Sequence, residues 1–306
     1  MNNPSFNKGL FFALLGFSVW GVLPLYWKML ERIDPLHILA FRILFSLVVV
    51  GTILFTTKNF TWLTLFRNPK KGALQVLTGL LLCNNWGLYV WAVNTGRTIE
   101  GSLGYYINPL VSIVLGMIFF REKLSVLQKT AFGLAVLGVL VLTLFSGTLP
   151  WISIVLAVSF GFYGLLKKSI ELPAMESLAA ETLGLVPLGF FLLFFRFDSG
   201  GLVSGWQSLS YLPELPLHTL ISVSLIGFIS PIPLYCFAKA ARLLPLSTLG
   251  FLQFLSPTCQ FLLGYFVFAE FFPPHYFAAF AFIWLAAILY VISLKKPQPA
   301  EKQPND

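Results

Sequence analysis

The sequence predicts an all-α integral membrane protein with ten transmembrane helices, arranged as two five-helix halves of opposite orientation. Three observations predict it. Of the 306 residues, 57% are hydrophobic and only 10% charged, whereas a soluble domain carries about 25% charged residues. Apolar runs long enough to cross about 30 Å of hydrocarbon recur ten times. One pattern also returns: Pro109, six residues, Gly116, five residues, Glu122 reappears as Pro257, six residues, Gly264, five residues, Glu270, at an offset of 148 residues.

The spans cover residues 9–27, 36–55, 73–93, 101–120 and 126–145, then 149–166, 178–195, 217–237, 246–268 and 276–294. Each reads as a helix, because a segment crossing lipid must satisfy its own backbone hydrogen bonds. The long continuous runs are unlike the short alternating segments of a β-barrel. The first is too long for a cleaved signal, and no small-residue cleavage site follows it. The second opens on Asp34-Pro35, an N-cap and first-turn pair. The third carries Asn84, Asn85 and Trp86 at mid-span, and the fourth and ninth carry the repeated Pro-Gly-Glu pattern. Gly16, Gly21, Gly133 and Gly138, in the first and fifth spans, are expected close-packing positions. The sixth span is the shortest.

The net charge is +8, and its distribution matters more than its sum. With both termini in the cytoplasm, fifteen of the twenty Lys and Arg residues lie on the cytoplasmic side, which is the bias of the positive-inside rule. The basic balance therefore reads as an insertion signal, with no nucleic-acid partner expected. Residues 295–306, with three prolines, read as a disordered cytoplasmic tail.

Five is an odd number of crossings, so the second half must be inverted. The loop charges agree: Arg121-Glu122-Lys123 becomes Ala269-Glu270-Phe271, keeping the glutamate and losing both cations. Further echoes pair Leu88-Tyr89 and Ala92 with Leu234-Tyr235 and Ala238, Trp20-Gly21 with Tyr163-Gly164, and Ala40-Phe41-Arg42 with Ala179-Ala180-Glu181. The chain thus divides into a first repeat, 1–147, an inverted second repeat, 148–294, and the tail, 295–306. Inverted repeats are a hallmark of secondary transporters, whose halves rock about a midplane site. The alternative is a bundle whose symmetry records only gene duplication.

Tyr105, Asn108, Ser112 and Gly116 follow i, i+3, i+7, i+11 spacing, which places them on one helix face. Gln253, Ser256, Gln260 and Gly264 repeat it. Pro109 and Pro257 each remove a donor, so kinks with freed carbonyls are expected beside these stripes. The candidate substrate-binding residues are these polar side chains together with Asn84, Asn85, Trp86 and Tyr89 of the third span and Trp20 of the first. Spans three, four, eight and nine are the expected cavity walls. The alternative for each polar residue is interhelical hydrogen bonding, worth about 1 kcal/mol. Trp27, Trp62 and Trp151 read as interfacial anchors.

Arg42 and Glu181 are the charges well inside spans, and each is a candidate partner of the other. Glu181 is also a candidate proton carrier, because low dielectric disfavours a charged carboxylate. Arg42 has an alternative as a snorkelling residue near a membrane face. Glu122 and Glu270 read as helix terminators. No HExxH, GxSxG or Gly-rich phosphate loop occurs, so no enzymatic activity, metal or cofactor is expected. Cys83, Cys236 and Cys259 read as inert buried thiols. A membrane assembly partner or sensor that moves nothing is the competing function.

The FSxWG run ending at Gly21, the paired Pro-Gly-Glu patterns, Asn84-Asn85-Trp86 and Leu103-Gly104-Tyr105-Tyr106-Ile107-Asn108-Pro109-Leu110 carry a resemblance. From residue 9 to 294 the chain resembles the EamA family of the drug/metabolite transporter superfamily, and most of all its RarD-type bacterial permeases. The resemblance implies a multi-pass protein of the bacterial cytoplasmic membrane, with cytoplasmic termini and a central cavity. It implies alternating-access transport, in the export direction, of a small metabolite or drug-like molecule. The partners expected are that substrate and the lipid bilayer, with proton coupling and a homodimer as further expectations.

Overall fold

A computed structural model describes residues 4–95, 97–145, 151–198 and 201–295. The expected tail lies outside the described residues apart from Lys295. The first half contains α1 (Pro4–Lys28), α2 (Pro35–Thr56), α3 (Pro69–Asn94), α4 (Thr98–Phe119) and α5 (Val126–Phe145). The second contains α6 (Trp151–Ser169), α7 (Ala174–Leu193), α8 (Leu217–Ile229), α9 (Pro231–Leu243), α10 (Leu246–Gln253), α11 (Leu255–Phe266) and α12 (Pro274–Lys295). Helices α8 and α9 are halves of one span, Leu217–Leu243, and α10 and α11 are halves of another, Leu246–Phe266.

Nine segments among the described residues are long and apolar enough to cross a membrane. The remaining expected span is α3, whose 26 residues reach about 39 Å at 1.5 Å per residue. Gln75, Asn84 and Asn85 make it more polar than the nine. Large apolar side chains such as Phe11, Val48, Leu144, Phe228 and Ile288 point outward, while Gln75, Asn85, Asn108, Lys167 and Glu181 are buried. That surface suits hydrocarbon rather than water. The chain is an all-α membrane protein.

The helix ends follow from local chemistry. The Asp34 carboxylate accepts the Leu36 amide at 2.8 Å, with Pro35 opening α2. Arg121 and Ala269, 148 residues apart, both adopt φ 53° just past α4 and α11, the left-handed turn that ends helices. Pro231, lacking an N–H, separates α8 from α9, a break the hydropathy pattern does not announce. The two prolines of the repeated pattern, Pro109 and Pro257, behave differently from each other. Helix α4 runs through Pro109 as one element, whereas the ninth span breaks at Phe254, where its amide turns back to the Phe251 carbonyl at 3.4 Å.

Helix packing places α5 against α12, α2 against α7 and α4 against α10; α4 and α3 both lie on α6, and α9, α10 and α11 on α1. Small residues permit the tightest crossings. A Cβ on Gly250 would sit 2.8 Å from the Pro109 carbonyl, and one on Gly138 2.8 Å from the Ala279 carbonyl. Gly16 and Gly21 similarly abut Cys236 and Cys259. Gly133 is a correction to the sequence expectation: nothing lies within 4 Å of its Cβ position, so it faces outward rather than into a helix crossing.

Between α7 and α8 the chain forms an antiparallel hairpin, β1 (Phe195–Asp198) and β2 (Gly201–Ser204), in register Phe195 with Ser204. The hydropathy pattern had assigned Phe195 to the seventh span. Tyr211, beyond the hairpin, ties it to the start of α2 by accepting the Asp34 amide at 3.1 Å and stacking on His37.

Candidate functional site: a polar, aromatic cavity

A cavity of about 290 Å³ lies among α1, α2, α3, α4, α6, α10 and α11. Its walls come from Phe17 to Trp27 of α1, Pro35 to Arg42 of α2, Asn85 to Val90 of α3, Tyr105 and Asn108 of α4, Phe160 of α6, and Gln253 to Gln260 of α10 and α11. On the first four helices these residues occupy the halves adjoining the α1–α2 and α3–α4 connections. The cavity is therefore displaced toward that face of the bundle.

The polar stripes meet here, as helix periodicity implies. Trp20, Asn85, Trp86, Tyr89, Tyr105, Asn108, Gln253, Ser256 and Gln260 all line the cavity, as do Arg42 and Pro257. Two candidates do not. Asn84 is exposed on the outer face of α3, because adjacent helical residues point about 100° apart. Ser112 is fully buried behind the wall and donates to the Gln253 side-chain oxygen at 3.3 Å. For Ser112 the interhelical reading describes what is seen.

Two further expectations are corrected. The eighth span contributes no wall; α1, α2 and α6 do so instead, because α8 packs on α2 and α9 on α1, behind the cavity. Trp27 is a wall residue rather than a detached interfacial anchor. The signal was present in the sequence, since Phe17, Trp20, Pro24 and Trp27 follow i, i+3, i+7, i+10 spacing, as the recognised stripes nearly do.

Arg42 and Glu181 do not pair. The Arg42 guanidinium lies over the Trp86 ring, 3.4 Å from its centroid, and 5.1 Å from that of Trp27. Glu181, 1% exposed, instead meets the Lys167 ammonium at 2.6 Å and accepts from the Tyr163 hydroxyl at 3.4 Å. Lys167 also donates to the Ser177 hydroxyl at 2.7 Å. The sixth hydropathy span ends at residue 166, whereas α6 continues to Ser169 and carries Lys167 inside. Arg42 lies with the cavity, whereas Glu181 meets Lys167 in the last turn of α6, at the other end of the bundle.

Some wall groups are satisfied by protein and some are not. Asn85 donates to the Leu156 carbonyl at 2.7 Å, and Gln260 to the Trp20 carbonyl at 3.2 Å. Among the described residues, Asn85 Oδ1, Asn108 Oδ1, Gln253 Nε2 and Arg42 Nε are buried without hydrogen-bond partners. Buried orphans are uncommon in folded proteins, and a group of them around one cavity is the pattern a ligand would complete.

The opposite end of the bundle is closed by polar contacts. The backbone amides of Leu246 and Ser247 donate to the two Glu122 carboxylate oxygens at 2.6 and 2.8 Å. Lys168 donates to the Leu244 carbonyl, and Arg242 to the Leu172 carbonyl. The Lys167–Glu181 pair lies at the same end. Glu122 folds back over its own helix, since a Cβ on Gly116 would lie 2.6 Å from its Oε2; Gly264 and Glu270 stand in the same relation at 2.8 Å. The glycine of the repeated pattern thus makes room for the glutamate. Among the described residues the Glu270 carboxylate accepts no comparable pair of amides.

Comparison with known proteins adds the following. Residues 7–144 match the EamA-like transporter family. An uncharacterized transporter of Pseudomonas aeruginosa is 40% identical over 98% of this chain and 100% of its own length. Protein RarD of Streptomyces exfoliatus is 40% identical over 92% of this chain and 88% of its own. Protein RarD of Escherichia coli K12 is 37% identical over 94% of each. A solved crystal structure superposes with a TM-score of 0.69 over 97% of this chain and 100% of that one, at 16% identity, which is a likeness of fold. A bundle built around an interior cavity, joined to relatives of this identity along nearly its whole length, places the chain in the EamA-like transporter family as a RarD-type, multi-pass membrane transporter.

Proposed function

We propose that this protein is a secondary transporter that exports a small metabolite or drug-like molecule across the bacterial cytoplasmic membrane by alternating access. The observation that carries the reading is the asymmetry of the bundle. A partly unsatisfied cavity lies toward one face, and the Glu122 clamp on the start of α10 closes the other. This reading takes both termini as cytoplasmic, which makes the face nearest the cavity the outer one and the state an outward-facing one.

The division into repeats 1–147 and 148–294 is supported by the packing pattern. Exchanging first-half helices for their second-half counterparts converts the α4–α6 contact into that of α10 and α11 with α1, and α3–α6 into α9–α1. The contacts α5–α12, α2–α7 and α4–α10 map onto themselves. The offset of 148 carries Leu246 and Ser247 onto Thr98 and Ile99, the start of α4. In the inward-facing state Glu270 then clamps the start of α4 as Glu122 now clamps the start of α10. One carboxylate releases as the other engages.

No enzymatic role and no cofactor belong to this reading. Glu181 serves as proton carrier through exchange with Lys167, and self-association as a homodimer is part of the same proposal. The test is flux from liposomes holding the purified protein alone, using metabolites that differ in abundance between media of cells lacking and overproducing it. Protein-dependent, saturable efflux is expected. Its absence for every such metabolite would favour an assembly partner or sensor. Glu181→Gln is expected to remove pH dependence from that flux.

A further inference from the structure

We propose that the cavity selects an organic anion: a carboxylate held by Arg42, joined to a flat apolar body that carries one hydrogen-bond donor. This rests on reading the cavity as the substrate site. Arg42 lies inside a span and has no ion pair; the pairs among the described residues are Arg97–Glu100 and Lys167–Glu181. Among the described residues no Asp or Glu lines the cavity. A guanidinium inside a membrane span without a counter-ion is costly, and such charges are normally paired or mark a substrate path. Trp86, 3.4 Å away, and Trp27, 5.1 Å away, offset part of that cost as ring partners of the cation. Its Nε has no hydrogen-bond partner among the described residues. A carboxylate approaching in the guanidinium plane is the group that geometry accepts.

The remaining wall chemistry defines the rest of the molecule. Asn85 Oδ1 and Asn108 Oδ1 are unpartnered acceptors and call for an N–H or O–H on the ligand, while Gln253 Nε2 is an unpartnered donor for a second oxygen. The rings of Trp20, Tyr89, Tyr105 and Phe160 supply the apolar surface, with Trp20 against Phe160 at 5.7 Å and Tyr89 against Tyr105 at 5.3 Å. With one cation and no acid in the walls, a ligand of net charge −1 leaves the filled cavity neutral. An ammonium would meet only neutral acceptors beside a like charge.

The test is calorimetric binding to the purified full-length protein in detergent, using four probes that differ in charge. These are 3-(4-hydroxyphenyl)propanoate, tyrosine, 3-(4-hydroxyphenyl)propanamide and tyramine. The acid is expected to bind at least about tenfold more tightly than the amide, the worth of one charge-assisted contact. Tyrosine is expected between the two, and tyramine weakest. Arg42→Gln brings the acid down to the level of the amide, and Arg42→Lys, which keeps the charge without the planar fork, retains part of the preference. Equal binding of acid and amide, a preference for tyramine, tyrosine binding as tightly as the acid, or no binding of any probe at millimolar concentration overturns the proposal. Failure of the transport reading looks different. The acid then binds through Arg42 but does not cross liposome membranes. Conversely, protein-dependent flux of tyramine at a rate above that of the acid keeps the transporter and removes the anion.

Discussion

Glu122 reaches Leu246 across 124 residues of chain: its carboxylate accepts the Leu246 amide at 2.6 Å and, with its other oxygen, that of Ser247. Two charge-assisted bonds at a helix N-terminus also lie along the favourable end of the helix dipole. Each is worth about 1.5–3 kcal/mol where partly buried. Glu122→Ala is therefore expected to shift the population away from the present state by about tenfold or more. A cysteine placed at Ser256, in a chain whose three native cysteines are replaced, reports this through its labelling by a membrane-impermeant maleimide in intact cells. Labelling slows in Glu122→Ala and does not slow in Glu270→Ala. Equal rates in the two variants sink the reciprocal-clamp reading.

Lys167 and Glu181 form a buried pair, 2% and 1% exposed. Removing one partner strands a charge and is expected to cost about 3–5 kcal/mol, whereas replacing both with apolar residues of similar volume restores most of the loss. Thermal unfolding in detergent should show Lys167→Met and Glu181→Leu each well below the parent, with the double variant recovering. If the double variant is as unstable as either single one, the ion pair is not what the two residues contribute. The recovered variant should also have lost any pH dependence of flux.

The adjacent asparagines separate cleanly. Asn84 faces outward and has no role in the cavity, so Asn84→Leu is expected to leave transport intact and to insert at least as well. Asn85 holds the Leu156 carbonyl and the Ser159 hydroxyl, at 2.7 and 3.1 Å. Asn85→Leu is expected to lose about 1–2 kcal/mol and most of the transport. Expression level and flux of the two variants, measured side by side, check this; the reverse order would show that α3 is rotated.

Glycine positions give a contrast in the same direction. Gly250→Ala drives a methyl against Ile113 Cγ1 and the Pro109 carbonyl, 2.7 and 2.8 Å away, and the backbone atom cannot yield. Lost folding or a strongly lowered melting temperature is expected. Gly133→Ala meets open space, so it is expected to be neutral or stabilising by up to about 1 kcal/mol through helix propensity. Melting of the two purified variants distinguishes them.

Most of the cavity wall was legible in the sequence as faces. The stripes through Tyr105 and Asn108 and through Gln253, Ser256 and Gln260 do meet, because a polar face on a spanning helix has nowhere to go but inward. The aromatic face of α1 was equally regular, yet Trp27 was read as an anchor, since tryptophan suits an interface as well as a cavity wall. Asn84 and Ser112 show the limit of a face. One lies just off the stripe's arc, and the other lies on it but behind a neighbouring helix.

The sequence by itself determined the all-α membrane class and the recurrence of Pro-Gly-Glu, because crossing length, self-satisfied backbone and residue spacing are properties of each segment alone. Only the tertiary structure decided that Glu181 meets Lys167 and leaves Arg42 to the cavity, that α1 and α2 stand where the eighth span was expected, and that Glu122 holds the far half of the chain. Partners depend on the rotation and crossing point of whole helices. A shift of one residue turns a side chain by about 100°, and no local pattern specifies that angle.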